Sequence, residues 1–301
     1  MKTPIFGRIT YKYQEDSLVR PQAIWMQMKI DSKFFKNDTT VRINAKLIES
    51  VQDYLDVTEY LRETFDVEKP WYRGVSHARY DLIPKVYRDR LWQRHENFEW
   101  WLHVEFANRA RPFVNDHHHY SQWHWYFTMQ HYGLPTRLLD WTEGSLIALY
   151  FAVREPDNTY IPSVYFMNPY WFDEFVYKKN EGEGIAYNTD DSAITEDHRS
   201  RLLSYLGEGE TPKYPICIDP PVINSRIHAQ KSVFTIHGRL INPFRMLAKN
   251  NDKAQIVKIR FSTKKAEHIK QQLDGMGITE GTLFPDLEGL ARDMKYERGI
   301  E

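Results

Sequence analysis

The sequence predicts an α+β fold in which mixed or antiparallel sheets carry flanking helices. Short alternating or apolar runs typical of strands are interspersed with longer stretches in which apolar residues recur at helical spacing. These stretches do not follow the regular strand-helix-strand spacing of a parallel sheet, and this irregular order favours α+β. With 301 residues, the chain is long enough to bury a large core in one or two domains.

Each helix and strand is predicted from the residue pattern of its own segment. Helix breaks are predicted at Pro112, Gly133 and Pro135, because proline and glycine interrupt helices. The predicted helices lie at 48–67, 93–112, about 120–131, 143–154 and 266–277, and the last helix starts near Asp286. The predicted strands lie within 1–47 and at 71–76, 138–141, 162–168, 215–218, 232–236 and 256–261.

Two segments stand apart from a predicted main domain at 48–297. Residues 1–47 alternate over short runs and predict a β-rich N-terminal extension. Residues 178–213 are charged and contain several glycines. We expect them to form a mobile insertion with a short helix near 197–206.

Composition restricts the class of protein. Hydrophobic residues make up 42% and charged residues 27% of the chain, which is typical of a folded soluble protein. The net charge of -1 gives no global attraction to nucleic acid or to an anionic membrane. One cysteine, no signal-peptide pattern and no long apolar run predict a cytoplasmic protein without a membrane segment.

Residues 123–153 form the most informative segment, because polar and aromatic side chains stand there between two apolar runs. Such a mixture is typical of a ligand pocket. The alternative is a buried turn whose polar groups satisfy one another. The side chains that predict a pocket are Gln130, His131, Tyr132, Arg137, Asp140, Trp141 and Thr142.

Arg73 is the predicted phosphate ligand, since its guanidinium offers donors in a fixed fork. Gly74 beside it allows close approach of a backbone. In the alternative reading, Arg73 pairs with a buried carboxylate such as Asp140. His131 is predicted to contact a base or nicotinamide ring, or only to favour a helix C-terminus. Thr142 is predicted to cap the following helix.

Three motifs resemble the FRG domain family: WYRGVS at 71–76, MQHYGLPTRLLDWT at 129–142 and ALYFAV at 148–153. Tyr72 stands where the family has Phe. The stretch at 226–237 resembles a later family motif, with Ser232 in place of Gly and Phe234 at its aromatic position. The resemblance covers roughly residues 50–295 and implies a shared fold in a family found mostly in bacteria and phages.

The order of elements is also similar to that of mono-ADP-ribosyltransferases. Arg73 matches their first-strand arginine, and Asp140 to Thr142 stand where their Ser-Thr-Ser motif lies. Gln230 stands where they have a catalytic Glu, and an amide cannot act as a carboxylate. The resemblance implies an ADP-ribosyltransferase-like core with NAD as substrate, and an effector or toxin role in bacterial and phage conflict.

This resemblance implies two sets of site residues. The expected catalytic residues are Arg73, Asp140, Thr142 and Gln230, and the expected NAD contacts are Arg73, Gly74, Gln130, His131, Tyr132, Arg137, Trp141 and Phe234. Transfer chemistry needs a carboxylate, for which Glu143, Asp286 and Glu288 are candidates. Helix capping is the preferred role for Asp286. No metal site is expected despite the histidines at 117–119, because one cysteine and no clean histidine pair argue against zinc.

A non-catalytic module that binds a nucleotide or nucleic acid is the alternative function. This function is suggested by basic and aromatic residues that could bind along single-stranded nucleic acid. They are Arg79, Lys85, Arg88, Arg90, Arg94, Trp92, Trp100 and Trp101. The alternative for this cluster is a solvated basic face around an amphipathic helix. In the transferase reading, the acceptor is a protein or a nucleic acid.

Overall fold

The computed structural model describes residues 34–37, 42–44, 46–77, 82–88, 97–114, 120–155, 159–179, 187–188, 200, 202–207, 209–221, 224–244 and 254–300. Within these residues the strands form one nine-stranded mixed sheet, and helices flank it. The predicted α+β class is therefore confirmed.

The strands are short and mostly antiparallel. They are β1 (Phe35–Asn37), β2 (Arg42–Asn44), β3 (Trp71–Val75), β4 (Leu138–Thr142), β5 (Ser163–Met167), β6 (Tyr187–Asn188), β7 (Ile216–Asp219), β8 (Ser232–Ile236) and β9 (Ile256–Arg260). Their order across the sheet is β1-β2-β9-β5-β3-β4-β8-β7-β6. The pairs β2–β9 and β6–β7 are parallel.

The helices vary from one turn to four turns. They are α1 (Val51–Thr64), α2 (Lys85–Arg88), α3 (Phe98–Ala110), α4 (Gln122–His131), α5 (Ser145–Val153), α6 (Pro169–Lys179), α7 (Ser225–Ala229), α8 (Ala266–Gly275), α9 (Glu280–Leu283) and α10 (Leu287–Arg298). Side chains cap several of them: Ser50 accepts a hydrogen bond at the start of α1, and Ser121 does the same for α4.

The sheet opens at its centre, between β3 and β4. These two strands pair at one position, where Tyr72 lies opposite Thr142. Strand β3 pairs with β5 at five positions, and β4 pairs with β8 at five positions. Beyond Tyr72 and Thr142, the facing sides of β3 and β4 are therefore outside the ladder, and the sheet has an internal gap.

Two apolar clusters cover the sheet and bury its side chains. One contains Trp123 and Phe127 of α4 with Trp141 of β4, and the other contains Tyr54 of α1 with Phe166 of β5. Burial of each such aromatic side chain contributes roughly 1.5–3 kcal/mol to the free energy of unfolding. Hydrophobic burial on both sides therefore holds the strands in place around the central gap.

Helix α5 lies unusually close to β3. A Cβ atom on Gly74 would lie 1.9 Å from the backbone oxygen of Ala148 and 2.7 Å from the nitrogen of Ala152. Glycine is therefore required at this position by the distance between helix and strand. The contact positions the end of α5 beside the gap between β3 and β4.

Most predicted elements are present, and the differences concern their ends. Helix α3 ends at Ala110, and a short 3₁₀ turn at Arg111–Phe113 follows it. Helix α6 was not predicted, although Phe172 and Val176 are fully buried. Its many aromatic residues have modest helix propensity, and tertiary packing stabilises the helix.

Parts of both predicted outer segments lie in the described residues. Strands β1 and β2 extend the sheet beside β9, whereas most of 1–47 lies outside the described residues. Of the predicted 178–213 insertion, Leu202, Tyr205 and Leu206 pack into the core. In the part of the chain that the structure describes, none of the helices combines the length and apolarity needed to cross a bilayer.

His237, directly after β8, is fully buried, and neither ring nitrogen has a hydrogen-bond partner among the described residues. Burial, together with the positive charges of Arg73 and Arg137, lowers the pKa of His237 to about 3. The folded protein therefore holds this imidazole in its neutral form.

We predict that Gly74→Ala lowers the free energy of unfolding by about 3 kcal/mol or more, because the added carbon meets backbone atoms that cannot move aside. Gly275→Ala is the matched control, since a Cβ there meets nothing within 4 Å. Urea unfolding of both variants measures the effect. Equal stability of the two variants would contradict the close contact between α5 and β3.

We predict that His237 makes the fold sensitive to acid. Its folded pKa of about 3 lies below the unfolded value of about 6.5, so the unfolded chain binds an extra proton between these values. The His237 side chain alone then lowers the free energy of unfolding by about 1.4 kcal/mol per pH unit as the pH falls between the unfolded and the folded pKa. Urea unfolding from pH 7 to 4 should show a shallower dependence in His237→Gln. The exposed His268→Gln is the control, and identical slopes in all three proteins would refute the prediction.

Candidate functional site

The gap between β3 and β4 forms a cleft with a volume of about 460 Å³. This volume lies within the range of about 300–1,000 Å³ that is usual for small-molecule sites. The cleft is lined by Tyr72, Arg73, Gly74, Val75, Ser76, Arg88, Asp140, Trp141, Thr142, Phe151, Arg154, Gln230, Ser232 and Phe284. It therefore brings together the four predicted catalytic residues, Arg73, Asp140, Thr142 and Gln230.

Arg73 bridges the gap. Its Nη1 donates a hydrogen bond of 2.6 Å to the backbone oxygen of Asp140 and lies 3.5 Å from Asp140 Oδ2. Burial lowers the pKa of the Arg73 guanidinium, and the negative charge of Asp140 opposes this effect. Arg73 therefore pairs with Asp140 and also lines the cleft, whereas its role as a phosphate ligand stays a prediction.

Asp140 is oriented by a chain of polar side chains. Gln130 Nε2 donates to Asp140 Oδ1 at 3.0 Å, and the Thr136 hydroxyl donates to Gln130 Oε1. The Asp140 side chain is 55% exposed and is the one carboxylate among the described residues that line the cleft. It is thus fixed on one side and accessible on the other.

Thr142 and Gln230 join β4 to the turn before β8. Thr142 Oγ1 donates to the backbone oxygen of Gln230 at 2.6 Å and accepts from the Gly144 nitrogen at 2.9 Å. The prediction that Thr142 caps α5 is wrong, because the helix begins later and Gly144 is its N-cap. Gln230 Nε2 donates to the backbone oxygen of Leu283 at 3.0 Å, which fixes its amide at the cleft wall.

A smaller cavity of about 190 Å³ adjoins the cleft and shares Asp140, Gln230, Ser232 and Phe284 with it. Three more predicted contacts lie in its wall, namely Gln130, His131 and Phe234. Partial burial and the positive charge of Arg226 lower the pKa of His131. His131 is therefore held towards its neutral form at this end of the site.

Arg137 and Tyr132 line neither cavity. Arg137 is bound by Glu99, with 2.6 Å from both Nε and Nη2 to Glu99 Oε2, and the pair is largely buried. The pair with Glu99 gives Arg137 a structural role, and its predicted contact with NAD stays a prediction. Tyr132 is 71% exposed and lies just after α4. Sequence spacing did not reveal that Glu99, from a distant helix, reaches Arg137.

Trp141 has only a small surface in the cleft. Its side chain is 2% exposed, and its indole nitrogen donates to Thr235 Oγ1 at 3.1 Å. Phe234 is also buried, with 4% exposed. Both residues serve mainly as core, since a buried indole with a satisfied N–H is typical of packing.

The three additional carboxylate candidates lie outside both cavities. Asp286 is the N-cap of α10, as preferred from the sequence, and it accepts from Arg226 at 2.6 Å. Glu288 pairs with Arg292 on the same helix. Glu143 is exposed. Carboxylates near a motif in sequence need not face it in space.

Sequence reasoning missed several residues of the cleft, namely Phe151, Arg154 and Phe284. Arg154 follows the last residue of α5 and binds Glu280 with two hydrogen bonds, of 2.9 Å from Nε and 2.5 Å from Nη2. The Arg154 Cζ atom lies 4.7 Å from the ring centroid of Phe284. Phe284 and Glu280 come from the C-terminal segment, and the sequence carries no local signal that joins them to α5.

The alternative basic site is only partly visible. Arg79, Arg90, Arg94, Trp92 and the histidines at 117–119 lie outside the described residues. Lys85 donates to the backbone oxygen of Gly133. Trp101 is 62% exposed and packs edge-on against Trp100. The described part of this cluster therefore contains two exposed indoles on α3, those of Trp100 and Trp101.

Comparison with known proteins gives one match. The family model of the FRG domain matches residues 68–160, a segment that includes β3, β4 and α5 and therefore both sides of the gap. No curated protein and no solved structure matches the chain. The predicted resemblance to the FRG family is confirmed for this segment, whereas the resemblance to ADP-ribosyltransferases stays a prediction. Over residues 68–160, which build most of the cleft, the chain is similar to the FRG domain family.

Proposed function

We propose that the cleft binds a nucleotide-type ligand, with NAD as the ligand to test, and that the protein acts as an ADP-ribosyltransferase-like enzyme. The observation that best supports this proposal is the position of Arg73 in the wall of the cleft. Of its three nitrogens, only Nη1 is hydrogen-bonded within the described residues. A guanidinium with unused donors in a cleft is suited to bind a phosphate or diphosphate.

The charges of the cleft support an anionic ligand. Arg73, Arg88 and Arg154 line it, and Asp140 is the one carboxylate among its described lining residues. Glu280 pairs with Arg154 from behind, and the remaining positive charge comes from Arg73 and Arg88. Positive charge focused in a concave site raises the local concentration of anions. The two amides, Gln130 and Gln230, add polar groups that can bind a ribose or a carboxamide.

The proposed chemistry is transfer of the ADP-ribosyl group. The C–N glycosidic bond breaks, and nicotinamide leaves with the bonding electron pair. The acceptor then attacks the oxocarbenium-like carbon with a lone pair and releases a proton to Asp140. Asp140 stabilises the developing positive charge and accepts this proton. Asp140 takes this role because Gln230, which stands where mono-ADP-ribosyltransferases have their catalytic Glu, is an amide.

A non-catalytic nucleotide-binding module is the second candidate. The observation that favours it is Gln230, whose amide is engaged by Leu283 and supplies no carboxylate. An effector or toxin role, and a protein or nucleic acid as acceptor, depend on the transfer activity.

We predict that Arg73→Ala weakens NAD binding by about 10- to 100-fold, which corresponds to the loss of charge-assisted hydrogen bonds to phosphate. Isothermal titration calorimetry of wild type and variant measures the effect. Arg109→Ala is the control, because Arg109 is an exposed arginine on α3 that pairs only with Glu105 among the described residues. NAD affinity that is unchanged in Arg73→Ala would refute the proposed site.

We predict that Asp140→Asn slows nicotinamide release by about 100-fold or more, because the neutral amide cannot stabilise positive charge. NAD affinity should change by less than about threefold, since Arg73 still binds the phosphates. Released nicotinamide is measured by chromatography, with the exposed Glu143→Gln as the control. Full activity in Asp140→Asn would refute the catalytic role. Tight NAD binding by a wild type that never releases nicotinamide would favour the non-catalytic module.

A further inference from the structure

Arg154 differs from Arg73 in which part of its guanidinium is available. The edge formed by Nε and Nη2 is occupied by Glu280. Glu280 is 8% exposed and also accepts hydrogen bonds from Tyr150 at 2.6 Å and from Arg292 at 2.9 Å. A phosphate that bound this edge would have to displace a buried carboxylate. Arg154 is therefore poorly suited to bind phosphate in the bidentate manner available to Arg73.

The Arg154 guanidinium lies over an aromatic ring. Its Cζ atom lies 4.7 Å from the centroid of Phe284, within the range of about 6 Å for cation–π contacts. Glu280 binds the edge in the manner that holds a guanidinium in one plane. The Arg154 side chain is 25% exposed and lines the cleft, so part of it is open to a ligand.

The turn that carries Phe284 is itself held in place. Gln230 donates to Leu283, and Arg226 binds Asp286. A Cβ on Gly289 would lie 1.9 Å from the Phe284 backbone oxygen, so α10 packs closely on the turn. Phe151 contacts the Phe284 ring edge-on, with ring centroids 6.0 Å apart. The platform of Arg154 on Phe284 is thus formed before any ligand binds.

We propose that Arg154, held on Phe284, is the surface on which the base of the nucleotide stacks, while Arg73 binds its phosphates. Guanidinium planes stack on aromatic rings and are used in proteins to stack nucleobases. The cleft then selects a phosphate ester of a planar heteroaromatic base over phosphate alone. This inference rests on the proposed function. It assigns specificity for the base to Arg154, near the end of the matched segment, and to Phe284, in the C-terminal segment.

The test compares ADP with inorganic pyrophosphate, which carries phosphates without a base. Arg154→Lys keeps the positive charge and a bond to Glu280 but removes the plane. Phe284→Leu keeps the Arg154–Glu280 pair and removes the supporting ring. Both variants should weaken ADP binding about tenfold, the usual size of a lost base-stacking contact. Pyrophosphate affinity should change by less than about twofold, because Arg73 is intact. Arg109→Lys is the control for loss of a guanidinium elsewhere.

Each outcome is decisive. Equal weakening of both ligands would show that Arg154 and Phe284 support the phosphate site and not a base, and this would overturn the inference. Unchanged ADP affinity in both variants would also overturn it. Wild type that binds ADP no more tightly than pyrophosphate would overturn the inference while leaving the anion site intact, and this comparison needs no variant. Wild type that binds neither ADP nor pyrophosphate, and does not bind NAD, would refute the proposed function and the inference together.

Discussion

The single ladder position between β3 and β4 is the constraint on which the rest of the structure depends. Because only Tyr72 and Thr142 pair there, the two central strands separate in the interior of the sheet. Their other neighbours hold each strand firmly, so the gap is a fixed feature of the fold. Ligand sites require concave surfaces with polar groups, and here the backbone itself supplies the concavity. The cleft, its arginines and its carboxylate all follow from this separation.

The arginines around the gap are sorted by the carboxylates that meet them. Arg137 is bound by the buried Glu99, and removal of one partner of a buried pair is costly, about 3–5 kcal/mol. Arg154 has its edge bound by Glu280 and lies over the Phe284 ring. Arg73 meets Asp140 at 3.5 Å and keeps unused donors. The three arginines therefore differ in role: Arg137 stabilises the fold, Arg154 is held on Phe284, and Arg73 is the candidate ligand. The role of each depends on a partner that lies far away in sequence.

The sequence predicted the elements that carry their own local signals. The strand at Trp71–Val75, the break at Gly133 and the cap at Asp286 follow from short patterns, and all are present. It also placed Arg73, Asp140, Thr142 and Gln230 near one another through a family resemblance. It did not predict Arg154 or Phe284, because their proximity depends on the C-terminal segment with Glu280 and Phe284 packing against the end of α5. The pairing of Arg137 was also not predicted, since its partner Glu99 belongs to another helix. Long-range pairing of charges has no periodicity that a sequence pattern can reveal.

The gap also affects how the protein behaves towards other chains. A row of backbone groups outside a ladder is a template for strand addition, and exposed edges of this kind promote aggregation. In most sheets this hazard exists at the outer strands, where charged side chains protect them. Here β3 and β4 create two further edges in the interior, and the Arg73 guanidinium spans the space between them by binding the Asp140 backbone. The side chain that is suited to an anionic ligand thus also occupies one of the backbone acceptors along this inner edge.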